Sequence, residues 1–569
     1  MRGRTIATFT VLLGYTGMSF AYFGWRLLPH PGRMLVGTAG QHDPEIFVWS
    51  FAWWPHAILT WTNPFFSHVV YAPTGVDLAW ATSVPGLAVA FAPVTLLFGP
   101  SVAYNVAAVL LPALSAWTAY LLFRYLARST WASLVGGYLY GFSSYMLAHQ
   151  LAGHLHLTAA FLVPLVALVV IRYLRGDLNA RGLVWRLGAI LAFQAYISTE
   201  VALTVILVLA LGLLIAFALL PDARRRLGSS LLPIAGAGAL AAVLAAPLLY
   251  YALTAIVPFS IGYPWLFSAD PLNLIVPTSV IGLGGKTFAS VSSHFPGNDN
   301  ERDSYLGLPM LVIAGLVLWR RPWKGGTRFL VAAFGAATFL SLGTALYLDG
   351  HRMFWWPWAA PSHWTGLKNV IPSRFALYAT LAADAMVATW IATTKGAVFR
   401  RPYVLPVLAA VALIPPVWST AYVQEPQRLA FFSDGLYRTC IPRGETLMIF
   451  PFARWGDSLL WQAESGFWFK MAEGALGPAN LPESFAGDPT VNALLFHFDG
   501  PGPRPTMKQL LALVRRRHVD RVVSAASVGA IYPNSTQMHA FGVLQQDGDI
   551  FVAPACGYNS LAGDTRPPP

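Results

Sequence analysis

The chain has 569 residues, 56% hydrophobic and only 11% charged, with 37 Lys and Arg against 25 Asp and Glu. A soluble protein is about 45–50% apolar and about 25% charged, so the charge here is too sparse to coat a water-exposed surface of this size. That excludes a water-soluble enzyme, a nucleic-acid-binding protein and a disordered scaffold, and leaves a polytopic membrane protein.

Residues 6–28 form the first apolar run, behind Arg2 and Arg4. This predicts a cytoplasmic N-terminus; the run is long for a signal peptide and no small-residue cleavage site follows it. Further stretches of spanning length lie at about 102–123, 131–148, 157–174, 185–199, 201–220, 230–252, 305–319, 327–347, 374–394 and 403–421, giving eleven transmembrane helices with the first. The stretch 82–98 is also apolar. Counted as a span, it would place Arg124, Arg128, the Arg172–Arg186 cluster and Arg224–Arg226 outside. Read as an interfacial helix, it returns them to the cytoplasm with Arg320, Arg321, Lys324, Arg328, Lys395, Arg400 and Arg401, as positively charged inner loops require. Residues 1–421 then form a helical membrane domain with a large first outer loop, 30–101. The odd span count puts residues 422–569 outside. That segment carries ordinary charge, strand-like runs at Thr446–Phe450 and Arg521–Ala525, and a helix from about Thr506 to His518, which predicts a small extracytoplasmic α/β domain. Cys440 and Cys556 fall near its two ends in an oxidising compartment; a disulfide is expected, two buried thiols being the alternative. No internal repeat of the kind that marks many transporters is visible.

Polar residues held close to a bilayer are functional candidates. The first outer loop begins Gly40-Gln41-His42-Asp43-Pro44-Glu45 and runs into an aromatic amphipathic helix, Ile46–Trp61. A carboxylate just beyond the first span, followed by helices lying on the membrane, sits where an acceptor hydroxyl loses its proton beside a lipid headgroup. The other reading of Asp43 is a helix cap, with Pro44 at the first helical position.

First span, acidic residue, juxtamembrane helices, interfacial segment, and then Gly99-Pro100 and Tyr104-Asn105 opening the second span form an order that resembles the GT-C class of membrane glycosyltransferases. Protein mannosyltransferases, mycobacterial arabinofuranosyltransferases and lipid A aminoarabinose transferases belong to that class. The resemblance implies a polyprenyl-phosphate sugar donor, a general-base carboxylate at the position of Asp43, and a variable outer domain at the C-terminus. Many members place a second acid in the next outer loop. Here that loop reads His149-Gln150-Leu151-Ala152-Gly153-His154-Leu155-His156, with no carboxylate.

His149, His154 and His156 are open to three readings: metal binding, contact with donor phosphate or sugar, or polar capping at the interface. Metal ligation by His154 and His156 needs a further partner, which Glu200 or Asp43 would supply. Glu301 stands against the start of a span, as a sugar or proton-transfer residue or as a solvated turn favoured by the helix dipole. Lys368 and Arg374 follow Trp355, Trp356, Trp358 and Trp364 in an outer loop, where a cation suits a lipid phosphate or bulk anionic headgroups. Gly285-Lys286-Thr287 lacks the first glycine of a phosphate-binding loop and is rejected. In the C-terminal segment, Ile449–Phe452 and Trp455–Phe469 are read either as an acceptor-docking face or as core.

The function expected is transfer of a sugar from a polyprenyl-phosphate donor to an extracytoplasmic glycan, glycolipid or protein acceptor by a multi-pass enzyme of the plasma membrane. Richness in Ala, Gly, Arg and Pro hints at a bacterial source and so at the cell envelope. Nucleic acid is not an expected partner, membrane lipid is, and a divalent metal is the one cofactor left open. Two alternatives stand beside this: a transporter or flippase of lipid-linked sugars, favoured by Asp384 in mid-span, and a non-catalytic envelope assembly factor.

Overall fold

The computed structural model describes residues 2–38, 42–255, 262–319, 325–394, 404–416, 422–476, 483–496, 504–525, 533–547 and 550–556. The basic residues Arg320, Arg321, Lys324, Lys395, Arg400 and Arg401 lie outside the described residues. A helix stands in each of the apolar stretches read from the sequence. Five of the described helical segments are by themselves long and apolar enough to cross a membrane: Pro100–Ala127, Leu155–Leu174, Thr199–Leu219, Pro221–Leu244 and Pro372–Thr393. The stretch 82–98 forms two short helices, Pro85–Ala90 and Ala92–Phe98, which meet at Phe91; Leu96, Leu97 and Phe98 are exposed.

Local chemistry explains the long central helix. Gly99 takes a φ of 87° and Pro100 fills the first position, where its missing N–H is not needed. Twenty-eight residues later Arg128, with a φ of 54°, ends the helix. Ser129 caps the following helix, Thr130–Gly141, by accepting from the Ala132 N–H. Gly137 and Gly141 lie one turn apart against Ala116, and a Cβ at either would collide with it. In lipid, where no hydrophobic force draws helices together, such small residues allow close backbone packing.

The two ends of this helix differ. Near Ala127, Arg175 lies over the Tyr125 ring at 5.0 Å, Tyr125 donates to Asp177 at 2.5 Å, and Arg226 donates to the Leu174 carbonyl at 2.9 Å. Near Pro100, Tyr104 donates to the Val36 carbonyl at 2.7 Å, while Asn105 accepts from Val36 N–H and donates to the Pro31 and Met34 carbonyls. These bonds fasten the start of the first long loop. The chain following the last described apolar helix returns to the same place: Val423–Gln424 pairs antiparallel with Leu35–Val36.

The helix Asp43–Leu59 corrects one expectation. It does not lie on a membrane with one face wet. Phe47, Val48, Trp49, Phe51, Trp53 and Trp54 are all buried, under the Pro85–Ala90 helix, the head of Pro100–Ala127 and the Ser458–Glu464 helix.

The C-terminal part holds a five-stranded sheet, in the order Gln545–Asp547, Ile550–Ala553, Arg521–Ala525, Thr446–Phe450, Lys470–Met471. Thr446–Phe450 is parallel to both neighbours, and the crossovers carry the helices Ser458–Glu464 and Met507–Arg516. Thr506 and Gln509 close a reciprocal capping box at the start of the second of these. The first long loop extends the sheet past Lys470–Met471. Met471 N–H donates to the Val69 carbonyl (2.8 Å), Ala72 N–H to Met471 (2.9 Å) and Tyr71 N–H to Glu473 (3.1 Å). Gln462 joins the parts: it accepts from Trp49 Nε1 at 2.8 Å and donates to the carbonyls of Val69 at 2.7 Å and Phe469 at 3.1 Å. The loop and the sheet therefore share one hydrophobic core, and a second core fills the helical bundle. Ile449, Phe450, Phe452, Trp461, Phe467 and Phe469 belong to the shared core, with Trp461 stacked on Phe432. The docking reading is corrected for these six residues, which are buried in the core; Trp455 and Trp468 are half-buried. Cys440 and Cys556 meet as a disulfide with their Cα atoms 4.6 Å apart.

Glu473 sits at this seam, fully buried beside Tyr71. Its Oε1 accepts from Ile449 N–H at 3.1 Å and its Oε2 has no partner. Burial pushes the carboxyl up to about 8. The folded state therefore holds a proton that the unfolded chain releases above the ordinary carboxylate range, and stability falls as pH rises toward 8. Glu473→Gln should gain stability relative to the wild type between about pH 5 and about pH 8, read from melting temperatures of the detergent-solubilised chain. Parallel pH dependences in the two proteins would refute this.

Candidate functional site

The site forms where the first residue of the Asp43–Leu59 helix meets the turn between two bundle helices. His42 is the helix cap residue and no side chain caps the helix, so Asp43 is free of the capping role. Gly153 ends the Ser144–Ala152 helix with a φ of 73°, and a Cβ there would collide with Pro44. Only glycine lets the turn close against Pro44 in that conformation. The close fit brings His154 onto Asp43.

From that contact a chain of polar groups runs inward. His154 Nε2 lies 2.7 Å from Asp43 Oδ2, and His154 Nδ1 lies 3.0 Å from His149 Nδ1. His149 Nε2 stands 3.4 Å from Asp303 Oδ2, with no hydrogen bond between them. Burial works against a charge on Asp43, but the hydrogen bond and charge of His154, then the charges alone of His42 and Arg374, hold its carboxyl below the usual range. Asp303 goes the other way: burial, then Glu301 nearby, pushes its carboxyl well up. The carboxyl at the outer end of the chain is thus biased toward its ionised form and the one at the inner end toward its neutral form. The Asp43 side chain is 38% exposed, toward a cavity of about 480 Å³.

Asp43, His154, His156, Glu200 and Arg374 line that cavity, with Trp80 and Asn369 among its other walls. His156 Nδ1 is buried and without a partner. Arg374 is not an open cation. It bridges two acids, binding Glu200 through Nη1 and Glu301 through Nη2 at 2.5 Å and Nε at 3.1 and 3.2 Å. Ser373 Oγ donates to Glu301 and Ile371 N–H to Glu200. The solvated-turn reading of Glu301 is corrected: the side chain is buried and spent on Arg374. A lipid phosphate reaching Arg374 would meet a guanidinium already neutralised. Lys368 shares the loop with Asn369 but is not among the cavity-lining residues.

His149, His154 and Glu301 place donor atoms within 4.8 Å of one another. This is a different set from His154 and His156 with Glu200 or Asp43. Its donors are already committed, the histidines to each other and Glu301 to Arg374, so the residues do not fit a metal well. Sequence reasoning passed over Asp303 and gave Glu200 only a ligand role. An acid opening the Thr199–Leu219 helix just after a serine cap was the available signal.

A family model described as a domain of unknown function (DUF6311) matches residues 11–414. No curated protein matches the sequence. Among solved structures, the arabinofuranosyltransferase AftD from Mycobacteria is 14% identical with a TM-score of 0.57, covering 91% of this chain and 35% of AftD. The chain thus spans about a third of AftD's length. ArnT from Cupriavidus metallidurans, bound to undecaprenyl phosphate, is 14% identical with a TM-score of 0.49 and covers 99% of both chains. The oligosaccharyltransferase AglB from Archaeoglobus fulgidus is 14% identical with a TM-score of 0.48, covering 92% of this chain and 70% of that one. Of these three, only the first exceeds 0.5, and the fold shared with GT-C glycosyltransferases rests on it.

Removing the bridging guanidinium leaves the buried Glu301 and the half-buried Glu200 carboxylates without their shared cation. Breaking a buried pair in this way costs about 3–5 kcal/mol. Arg374→Ala should therefore lower the thermal unfolding midpoint sharply, and Glu200→Gln, which leaves Arg374 its bonds to Glu301, much less. Equal small shifts would place the charge cluster in water rather than in the protein.

Proposed function

The chain belongs to the DUF6311 family, whose description assigns no activity, and from the GT-C fold and the site we propose a glycosyltransferase that moves a sugar from a polyprenyl-phosphate donor to an extracytoplasmic acceptor. The observation that carries the reading is Asp43, hydrogen-bonded to His154 and opening onto a polar cavity beside the heads of the bundle helices. In this reading an acceptor hydroxyl attacks the anomeric carbon of the donor. The carbon–oxygen bond to phosphate breaks, the electron pair leaves with the polyprenyl phosphate, and the hydroxyl proton passes to the Asp43 carboxylate. His154 orients that carboxylate. The leaving phosphate departs already charged, so one essential base is sufficient. In this reading His156 and Asn369, which line the cavity, contact the donor. AftD is an arabinofuranosyltransferase by name; sugar and acceptor in this chain are left unassigned.

The arginines around Tyr125 and the site around Tyr104 occupy opposite ends of one helix, about 30 Å apart at 1.5 Å per residue. That separation matches a bilayer's hydrocarbon core. It supports the arginine end as cytoplasmic and the site as extracytoplasmic, the orientation that an N-terminus inside would give this helix as the second span; the eleven spans are proposed from the apolar runs alone. A second reading, transport of lipid-linked sugars, draws on Asp384, which is fully buried in its helix with neither oxygen hydrogen-bonded.

Asp43→Asn should lower transfer from a polyprenyl-phosphate sugar by about 10²–10⁴, the usual effect of losing a general base. Asp299→Asn, on an exposed turn that also precedes a bundle helix, should not. Transfer at the wild-type rate in Asp43→Asn refutes the mechanism, and unchanged transfer with altered lipid-sugar export favours the transporter. For orientation, a membrane-impermeant thiol reagent should label a cysteine placed at Asp434 from outside and miss one placed at Arg225. The reverse pattern inverts the topology.

A further inference from the structure

A second cluster of ligating side chains, sharing no residue with the Asp43–His154 contact, lies at the start of the Asp43–Leu59 helix. His42 precedes that helix, Glu45 lies in its first turn, and Asp457 precedes the Ser458–Glu464 helix packed against it. One donor atom from each falls within 4.8 Å of the others. His42 Nδ1 stands 3.4 Å from Glu45 Oε1 and 4.0 Å from Asp457 Oδ1. That nitrogen is buried and makes no hydrogen bond, although it faces two carboxylates. The Glu45 side chain is only 4% exposed. Asp457 turns its other oxygen to the Gln427 N–H, which leaves Oδ1 toward the histidine.

Two carboxyls this close, one of them buried, do not both keep their charge: Glu45 and Asp457 share a hydrogen bond, whose proton a divalent cation bound between them would displace. An imidazole nitrogen without a hydrogen bond, beside two carboxylate oxygens, is a donor set for a divalent transition cation. Nitrogen ligation favours zinc's class over magnesium or calcium, and three protein ligands leave a position for water.

We propose that His42, Glu45 and Asp457 bind a divalent transition cation that clamps the start of the Asp43–Leu59 helix to the C-terminal sheet. The site is separate from the His154 side of Asp43 and does not depend on the sugar-transfer reading. Its ligands come from chain segments more than 400 residues apart, so the ion fixes the seam that positions Asp43.

The test uses the full chain purified in detergent, stripped with chelator, dialysed against Zn²⁺ and measured for bound zinc by mass spectrometry. The wild type should bind zinc and gain thermal stability with it. Asp457→Asn should lose one equivalent together with that gain. His42→Ala, at a side chain 36% exposed, should lose the same equivalent and keeps the test valid where Asp457→Asn fails to fold. His149→Ala should retain it. Absence of zinc binding by the wild type overturns the proposal. So does an unchanged stoichiometry in His42→Ala, or loss of the sole equivalent in His149→Ala.

Discussion

The structure depends on the burial of one helix. Asp43–Leu59 buries side chains around nearly its whole circumference, five of them large aromatics, and such a helix is stable only when enclosed. The bundle covers one side and the C-terminal part the other. Fully burying a single large apolar side chain stabilises by about 1.5–3 kcal/mol, so several together hold these parts as one body. Gln462 makes the enclosure specific: its amide satisfies an indole and two backbone carbonyls that burial would otherwise leave unpaired. Asp43 owes its fixed position to this enclosure.

The charge balance of the site follows from the same enclosure. Asp43, Glu200, Glu301 and Asp303 converge where water is scarce, with Arg374 as the one arginine among them. Glu200 and Glu301 share that arginine, Asp43 takes His154, and Asp303 is pushed toward its neutral form. Each acid thus meets a different fate according to its neighbour. The carboxylate left ionised and partly open to the cavity is the one suited to accept a proton.

Much of this was legible in the sequence, for identifiable reasons. Apolar runs gave the helix positions because spanning length and low charge are local properties, and Thr446–Phe450 and Arg521–Ala525 emerged with those strand bounds. Asp43 stood out because an acid next to a span is rare. Other features were hidden because they are non-local. Nothing near Arg374 announces Glu200 and Glu301, 174 and 73 residues away. The Asp43 helix read as amphipathic because its covering elements lie far along the chain. The aromatics of Trp455–Phe469 looked like a binding face for the same reason.

The strand addition at Val69–Ala72 has a consequence for biosynthesis. This segment leaves the ribosome about 400 residues before Met471, its hydrogen-bonding partner. At roughly 5–20 residues per second, that is a wait of about 20–80 s. During it, the aromatic helix and the unpaired backbone of the first loop have neither their cover nor their sheet. The helices made in the interval must insert first, and the loop can be enclosed only when the last quarter of the chain arrives. Premature termination within that last quarter would therefore expose the oldest part of the protein, not the newest.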